Sequence, residues 1–234
     1  MNHQDIAVMF NNIAANYDII NKISSFGLDG YWRRRLIRSI KKSNARKVLD
    51  IACGTGVLSW MIYRKLHLEV TGLDLSAEML RQAEKKRVHH SLQHQPPPLF
   101  IEGYAEKLPF ANLSFDAVTV AFGVRNFENR SDAFQQIYRV LKPGGHLFIL
   151  DFATPKNRLW SAVFRIYFWY ILPLLGRVIS GDKNAYLYLP RSVTHFPQYG
   201  ALCEELSKAG FSMVTYRPYT GGVAVLYTGV RKSD

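Results

Sequence analysis

A short apolar run that leads into a glycine-containing turn constrains the fold more than any other feature. Residues 48–59 have the sequence VLDIACGTGVLS, which predicts a strand, a sharp turn at Gly54 and Gly56, and the start of a helix. In open α/β sheets, a turn after the first parallel strand lies at the carboxyl edge, where ligands bind. The turn therefore predicts a cofactor site together with a fold.

Strands and helices alternate after this turn, which predicts a doubly wound α/β fold with a mostly parallel sheet of seven strands. The predicted strands are Lys47–Ala52, Glu69–Leu75, Leu99–Glu102, Phe115–Ala121, His146–Asp151, Phe211–Tyr216 and Ala224–Arg231, the last two forming an antiparallel pair. The predicted helices are Val57–Leu66, Ala77–Val88, Ser131–Leu141 and Tyr199–Ala209.

The rest of the chain surrounds this core as part of a single domain. Residues 1–46 predict a helical lid, and residues 152–198, which are aromatic and irregular in pattern, predict an insertion after strand five that carries substrate contacts. The predicted divisions are 1–46 (lid), 47–151 (cofactor-binding core), 152–198 (insertion) and 199–234 (C-terminal helix and strands).

Composition excludes several classes of protein. With 48% hydrophobic and 21% charged residues in 234, the chain is not disordered, and two cysteines exclude a disulfide framework and favour the cytoplasm. Residues 1–10 lack a secretory signal. Residues 159–179 are apolar, but Arg165, Pro173 and Arg177 interrupt them, so we expect no membrane span.

The net charge of +12 is concentrated over Tyr31–Lys47, which has eight basic residues and no acid. Apolar residues at helical spacing give this helix one buried face, and its basic face is either simply solvated or attracted to anionic lipid. RNA is a further partner that such a charge allows, although we expect no nucleic acid. Three histidines in a polar loop predict no metal site, since acids and cysteines are missing nearby: His89, His90 and His94.

Asp50 and Ser59 bear on the kind of cofactor. A dinucleotide fingerprint requires Gly or Ala where Ser59 stands. The Asp50 carboxylate would be poorly placed beside a pyrophosphate but suits an amine. We therefore predict a cofactor with an ammonium group and no phosphates, a nicotinamide-dependent oxidoreductase being the alternative. Asp74 ends the second strand, where a carboxylate can accept hydrogen bonds from ribose hydroxyls or stabilise the following helix.

Four segments together resemble the motif series of class I S-adenosylmethionine-dependent methyltransferases: VLDIACGTG, GLDLSAEML, GYAEKLPF and VLKPGG. A narrower resemblance covers essentially the whole chain. The segments FNNIAANYDIINKISSFGLDGYWRR, SFDAVTVAFGVRNFENRSDAFQQIYRVLKPGG, LDFATP and YLYLPRSVTHFP are similar to the UbiE/MenG family. Those enzymes C-methylate the quinol ring in ubiquinone and menaquinone biosynthesis.

The resemblance implies roles for matching residues in binding S-adenosylmethionine. The loop from Gly54 through Gly56 to Ser59, which replaces the family's usual Thr, would hold the methionine part, and Asp74 would hold the ribose. The pair Tyr104–Ala105 would lie beside adenine, and Ala121 occupies a position where several relatives have a cofactor-contacting Ser.

The implied reaction converts demethylmenaquinol to menaquinol, with the ubiquinone precursor, RNA or another small molecule as alternatives. Such chemistry needs a stabilised phenolate and a base. Arg125 and Asn126 follow strand four at the cofactor edge, and Arg125 either stabilises the phenolate or forms a structural ion pair. His195 is either a proton shuttle or a structural group. Tyr17–Asp18 either closes over the cofactor or caps a helix.

The aromatic segment Trp160–Tyr170 predicts either ordinary core or a surface for a prenyl tail. Trp, Tyr and Arg between apolar residues are typical of a membrane interface. We therefore expect a cytoplasmic enzyme with transient contact at the inner face of the membrane, and an oligomer is compatible with the sequence.

Overall fold

The computed structural model describes residues 3–87, 95–171 and 183–233, and within these residues seven strands form one sheet. The strands are β1 (Lys47–Ile51), β2 (Glu69–Asp74), β3 (Leu99–Glu102), β4 (Phe115–Ala121), β5 (Leu141–Phe152), β6 (Ser212–Tyr219) and β7 (Ala224–Val230). Their order is β3-β2-β1-β4-β5-β7-β6. The first five are parallel, and β7 is antiparallel to both β5 and β6. The predicted doubly wound fold and the antiparallel pair are confirmed.

Helices cover both faces of this sheet. They are α1 (His3–Ile13), α2 (Tyr17–Ser24), α3 (Leu28–Lys42), α4 (Val57–Leu66), α5 (Ala77–Lys85), α6 (Arg130–Val140), α7 (Arg158–Ile166), α8 (Lys183–His195) and α9 (Gly200–Lys208). Short turns of other helix types occur at Val124–Asn126, Tyr167–Ile171 and Thr220–Gly222. No helix of the described residues is long and apolar enough to cross a bilayer.

Alternation along each buried strand builds two cores, one on each face. Successive side chains of a strand point to opposite faces, so Val48 packs in one apolar cluster and Leu49 in the other. The Val48 cluster includes Trp32, Leu36 and Ile40 of α3. The predicted apolar face of this helix is therefore confirmed, and α3 is a permanent part of the core.

Strand β5 begins earlier than the sequence predicts, at Leu141 rather than His146. Leu141 pairs with Phe115, the intervening residues form an irregularity, and pairing resumes between His146 and Ala117. The Lys-Pro-Gly-Gly stretch therefore bulges out of a strand that has already started. Strand β6 likewise runs on to Tyr219, since it stays paired with β7 up to Ala224.

The insertion is mostly helical where it is described, although its sequence pattern is irregular. Asn157 caps α7 by accepting a hydrogen bond from the Trp160 N–H at 3.0 Å. The helix buries Phe164 and continues into the turn at Tyr167–Ile171, which buries Phe168. Residues 172–182, including part of the predicted apolar stretch, lie outside the described residues.

Candidate active site

The site begins where β1 ends and the glycine-containing turn carries the chain into α4. Gly54 has φ +55°, a left-handed conformation that glycine adopts without the steric cost of a side chain. Its N–H donates to Asp74 Oδ2 at 2.7 Å, which joins the turn to the end of β2. Gly54, Thr55, Asp50 and Asp74 all line one cavity at the carboxyl edge of the sheet, which we call the cofactor cavity.

Gly56 serves packing rather than ligand approach. A Cβ added there would lie 2.9 Å from both Ala83 Cβ and Phe100 Cζ, closer than real Cβ contacts, and φ is +71°. Gly56 does not line the cofactor cavity. Its glycine is needed so that the start of α4 can pack against α5 and β3.

Asp50 lies in this cavity with its carboxylate held by two hydroxyl groups. Thr119 Oγ1 donates to Oδ1 at 2.7 Å, and Ser59 Oγ donates to Oδ2 at 2.6 Å. Burial raises the pKa of Asp50 to about 6, although both hydrogen bonds act to lower it. Ser59 itself is fully buried and does not line the cavity. The structure thus places Ser59 behind Asp50, where it positions the carboxylate.

Asp74 closes the cavity from β2. Its second oxygen accepts from the Ser76 N–H at 2.9 Å, and burial raises its pKa to about 6. Because a carboxylate offers about four acceptor positions, these backbone bonds leave Asp74 able to accept from a ligand. The predicted alternative, a carboxylate at the start of the next helix, is also realised through the Ser76 contact.

The pair Tyr104–Ala105 and Ala121 line the same cavity. Tyr104 is half-exposed, and its ring stacks on His3 with centroids 4.6 Å apart. His3 was not predicted, because nothing in the sequence near it indicates that α1 reaches this cavity.

Helix α2 contacts the turn through polar groups. Asp18 Oδ1 accepts from Thr55 Oγ1 at 2.5 Å, and Asp18 Oδ2 accepts from Lys86 Nζ at 2.6 Å. Lys86 Nζ also donates to the Thr55 carbonyl at 2.8 Å. Tyr17 lines the cavity beside these contacts. Tyr17 and Asp18 therefore lie beside the cavity and its turn, and their closure over a cofactor stays a prediction.

A second cavity of about 300 Å³ adjoins the first, and we call it the apolar cavity. Its walls come from α1–α3, α7, the turn at Tyr167–Ile171, α8 and the ends of β4 and β5. Four residues line both cavities, which places the two next to each other: Phe10, Tyr17, Arg33 and Phe122.

The neighbours Arg125 and Asn126 lie on different cavities. Arg125 lines the apolar cavity, and its Nη1 donates to Asp151 Oδ1 at 2.8 Å and to the Phe122 carbonyl. The predicted structural ion pair thus exists, and both its partners are buried. Asn126 lines the cofactor cavity, and its Oδ1 accepts from the Tyr188 hydroxyl at 2.9 Å.

His195 does not join these residues. It ends α8, is exposed, and its Nδ1 lies 2.9 Å from the Arg191 carbonyl one turn earlier. It lines neither cavity. The predicted proton shuttle is therefore not near the site, because the helical course of the insertion places the end of α8 away from it.

Arg33 was missed as a site residue. It was predicted to belong to the basic face of α3, which was expected to be exposed. It is instead only 8% exposed and lines both cavities. Asp29, one helical turn earlier, pairs with it. An acid at that spacing just before a basic run was the available signal.

Metal chemistry finds no support in the described parts of the chain, where no three His, Cys, Asp or Glu side chains come together. His89, His90 and His94 lie outside those parts.

The donor set of the cofactor cavity fits S-adenosylmethionine. Asp74 offers acceptors for ribose hydroxyls, and Asp50 offers a carboxylate for an ammonium group. Tyr104 and Leu75 provide flat and apolar walls for adenine. Gly54 leaves the turn open, since a Cβ there would come no closer than 3.9 Å to another residue.

Comparison with known proteins identifies the family of this chain. The model of the ubiE/COQ5 methyltransferase family matches residues 1–231. A demethylmenaquinone methyltransferase from Thermus thermophilus is 42% identical over 224 residues, covering 95% of this chain and all of the relative. The ubiquinone/menaquinone biosynthesis C-methyltransferase UbiE of Syntrophotalea carbinolica is 40% identical over 229 residues, which cover 97% and 94% of the two chains.

Among solved structures, a SAM-dependent methyltransferase from Thermotoga maritima superposes with a TM-score of 0.59 at 18% identity. The match covers 96% of this chain and all of that one, which supports the shared fold. The family match over the whole chain sets aside the nicotinamide-dependent alternative. The chain belongs to the ubiE/COQ5 methyltransferase family, and it is an S-adenosylmethionine-dependent methyltransferase.

Proposed function

We propose that this chain methylates a ring carbon of a demethylated prenyl quinol, with demethylmenaquinol as its substrate. The observation that carries the proposal is the pair of adjoining cavities. One has the acceptors that S-adenosylmethionine requires, and the other is apolar with buried cations on its wall. The names of the relatives support the choice of quinol, and demethylmenaquinone recurs among them.

The apolar cavity suits a flat aromatic ring better than a polar substrate. Aromatic side chains form much of its wall, and the rings of Phe122 and Phe152 lie 4.7 Å apart at its inner end. Excluding water there strengthens any interaction with charge on the substrate. An RNA substrate would need to reach the cofactor through a wide, polar opening. The cofactor cavity is instead joined to an apolar cavity, with Tyr17 and Phe122 on the shared wall.

S-adenosylmethionine supplies an electrophilic methyl group on a sulfonium sulfur. The chain's own part is to bind both partners so that the ring carbon faces this methyl group. In this proposal Gly54, Asp50 and Asp74 hold the cofactor, and Tyr104 with Ala105 lies beside its adenine. Ala121 adds only an apolar wall, so the hydroxyl contact of its relatives is absent.

Arg125 and Asn126 contribute to substrate binding in the proposed reaction. The pair with Asp151 holds the Arg125 guanidinium over the Phe152 ring, 5.6 Å from its centroid. From there it offers hydrogen-bond donors to a quinol oxygen inside the apolar cavity. Asn126 links the two cavities through its bond with Tyr188, which fixes the wall between them.

The helices of residues 1–46 and 152–198 act as the substrate-binding part in this proposal. They supply most of the apolar cavity, while residues 47–151 supply most of the cofactor cavity. Opening of α2, which carries the contacts of Asp18, would admit the cofactor.

Contact with an anionic membrane surface completes the proposed function, because prenyl quinols reside in the bilayer. Exposed apolar residues lie at and beside the apolar cavity: Phe26 lines it and is 76% exposed, and Leu159, next in the chain to the lining residue Trp160, is 78% exposed. Arg158 and Arg165 are exposed on the same helix as Leu159. Apolar and basic residues together are typical of helices that lie in the headgroup region. We infer that the protein works at the inner face of the cytoplasmic membrane.

Sedimentation with phosphatidylglycerol vesicles tests this contact. Phe26→Ser and Leu159→Ser should each weaken vesicle binding about 5- to 10-fold, the effect of removing one large apolar side chain from lipid. Met213→Ser is the matched control, since Met213 is 73% exposed on strand β6, away from the cavities. The proposed membrane-binding surface would be rejected if all three variants lost binding equally. It would also be rejected if the wild-type protein did not sediment with the vesicles.

Transfer of labelled methyl groups tests the reaction. The purified chain with labelled S-adenosylmethionine should methylate reduced demethylmenaquinone faster than the demethylated ubiquinol precursor, and total RNA should stay unlabelled. Asp74→Asn serves as the weakened-cofactor control. Labelling of the benzoquinol alone would reject the substrate, and labelling of RNA alone would reject the quinol class.

A further inference from the structure

We propose that Arg33 of α3 is a catalytic residue that binds the charged oxygen next to the methyl-accepting carbon of the quinol. This inference rests on the proposed function and names the group that activates its substrate. Arg33 enters the site from the N-terminal helices, outside the motifs that form the cofactor cavity.

The position of Arg33 between the two cavities supports this role. Methyl transfer requires the ring carbon and the methyl group to meet where the two cavities join. Among the Lys and Arg residues of the described chain, only Arg33 lines both cavities, whereas Arg125 lines the apolar cavity alone. A cation at the junction lies beside the reacting carbon rather than deeper in the pocket.

Arg33 is also buried, unlike most of the basic residues of α3. Arg34, Arg38, Lys41 and Lys42 are exposed, but Arg33 is only 8% exposed. Within the described chain its Nε has no hydrogen-bond partner, and its Nη1 pairs with Asp29. A buried guanidinium with donors left over is costly unless a ligand or partner uses them.

Arg33 and Arg125 are arranged around a pair of aromatic rings, which also supports this role. Arg33 Cζ lies 5.2 Å from the Phe122 ring centroid, and Arg125 Cζ lies 5.6 Å from the Phe152 ring centroid. The two rings are 4.7 Å apart. The oxygens of a quinol stand on opposite sides of its ring, so two separated cations match them.

Ring chemistry gives the two cations different tasks. Charge on the oxygen adjacent to the accepting carbon spreads to that carbon, whereas charge on the opposite oxygen spreads to other positions. Arg33, at the junction, therefore stabilises the reactive anion, and Arg125 orients the opposite oxygen. The ring carbon then bonds to the methyl carbon, the methyl–sulfur bond breaks with its electrons left on sulfur, and the ring proton leaves to water.

A purely structural pair with Asp29 is the competing explanation. Arg33 also faces charged or titratable groups on other elements, namely Asp50 of β1, Tyr17 of α2 and Arg125. Its charge acts to lower the pKa of both Asp50 and Tyr17. The test therefore needs readouts that loss of a structural pair would leave unchanged.

Kinetics of Arg33→Gln supply the first readout, with exposed Arg34→Gln as the matched control. We expect kcat to fall about 100-fold, as for removal of one oxyanion donor. The rising limb of the pH–rate profile should move to higher pH, since the quinol then ionises less readily. Affinity for S-adenosylhomocysteine should stay within a few-fold of wild type, and Arg34→Gln should keep wild-type kcat. A wild-type kcat in Arg33→Gln, or a fall without the pH displacement, overturns the proposal.

Binding of 1-naphthol supplies a readout that needs no methyl transfer. Naphtholate absorbs at longer wavelength than naphthol, so absorbance reports the pKa of the bound ring. We expect that pKa to be higher in Arg33→Gln than in wild type by about 2, the same 100-fold effect. Equal values in both proteins overturn the proposal. Because this is a binding measurement, it separates failure of this inference from a wild-type enzyme that methylates no quinol.

Asp29→Asn decides the matter if Arg33→Gln does not fold. A catalytic Arg33 predicts that this variant keeps kcat within a few-fold and lowers the pKa of bound 1-naphthol, because the guanidinium gains freedom to serve the ligand. A structural pair predicts a loss of kcat with the naphthol pKa unchanged, which overturns the proposal.

Discussion

The cofactor cavity and the apolar cavity meet at Tyr17 and Arg33 but are built in different ways. Much of the cofactor cavity is one continuous turn, residues 50–55, at the point where neighbouring strands end. The apolar cavity draws on side chains from Met9 to Val223, carried by helices on either side of the sheet. A wall made of one turn is encoded locally, whereas a wall made of distant helices depends on how those helices pack.

The two cavities also differ in charged groups. Asp50 and Asp74 line the cofactor cavity, Arg125 lines the apolar cavity, and Arg33 lines both. Carboxylates suit a cofactor with ammonium and sulfonium groups, and guanidinium groups suit a quinol that must lose a proton. The junction thus brings a cation and an anion together for transfer of a methyl cation equivalent.

A substitution at Gly56, in the turn of the cofactor cavity, should cause the largest loss of stability. Gly56→Ala adds a left-handed backbone cost and a Cβ 2.9 Å from Ala83 and Phe100, so we expect about 3 kcal/mol or more of lost stability in urea unfolding. Gly27→Ala is the matched control, because φ is +72° there but nothing lies within 4 Å. It should cost about 1 kcal/mol. Equal losses would show that the close approach at Gly56 does not matter.

Asp50 should make stability depend on pH. Its folded pKa of about 6 lies above the ordinary value of 3.8, so the unfolded chain releases this proton first, and stability falls as pH rises from about 4 to 6. Asp50→Asn removes that fall. The unfolding free energy of the variant relative to wild type should rise over this range by up to about 3 kcal/mol and then level off. Urea titrations at several pH values measure it.

A pH-independent difference between Asp50→Asn and wild type would contradict the raised pKa. Asp74 has the same folded pKa of about 6 and remains in both proteins, so its own contribution cancels in the comparison. Ser59→Ala should enlarge the pH effect of Asp50, since the Ser59 hydrogen bond acts to lower the pKa of that carboxyl, while Thr119 still bonds the other oxygen.

Asp74 tests the cofactor side directly. Asp74→Asn removes charge-assisted acceptors for ribose hydroxyls, and calorimetry should show S-adenosylhomocysteine binding weaker by about 1–3 kcal/mol. Glu69→Gln is the control, because Glu69 lies on the same strand at the opposite edge and pairs only with Lys47 in the described structure. Unchanged affinity in Asp74→Asn would show that the Asp74 carboxylate serves only to bond the backbone of Gly54 and Ser76.

The smallest effect is expected at the contacts that join the helices of the apolar cavity to the turn. Asp18→Asn weakens the bonds with Thr55 and Lys86, and the side chain is 40% exposed, so the loss is at most about 1 kcal/mol. Stopped-flow dissociation of S-adenosylhomocysteine should become a few-fold faster. Glu84→Gln, at an exposed pair on α5, should leave the rate unchanged. A wild-type rate in Asp18→Asn would show that these contacts do not gate the cofactor.

Much of the cofactor cavity could be predicted because its residues follow strand ends. Asp50, Gly54 and Asp74 come directly from the positions of β1 and β2, and parallel strands bring their carboxyl ends to one edge. Ser59 and Gly56 were predicted for the cofactor, yet they serve Asp50 and helix packing. Sequence position shows that a residue is near a turn, but not which way its side chain points.

The apolar cavity was predicted only in outline. The aromatic insertion indicated a tail-binding surface, but His195 was placed in the site and Arg33 outside it. Whether a charge on an amphipathic helix faces solvent or a cavity depends on what packs against it, and α3 packs against elements from Phe122 to Thr220.

The sequence by itself determined the parallel sheet, the glycine-containing turn, the carboxylates at its edge and the family, because each depends on short segments whose geometry is set by local backbone rules. Only the tertiary structure decided that Arg33 and Arg125 share one cavity, that Asp18 holds α2 to the turn, and that His195 lies outside the site. Those relations join residues from different segments of the chain. They follow from the packing of helices against the sheet, which the order of amino acids in any one segment does not specify.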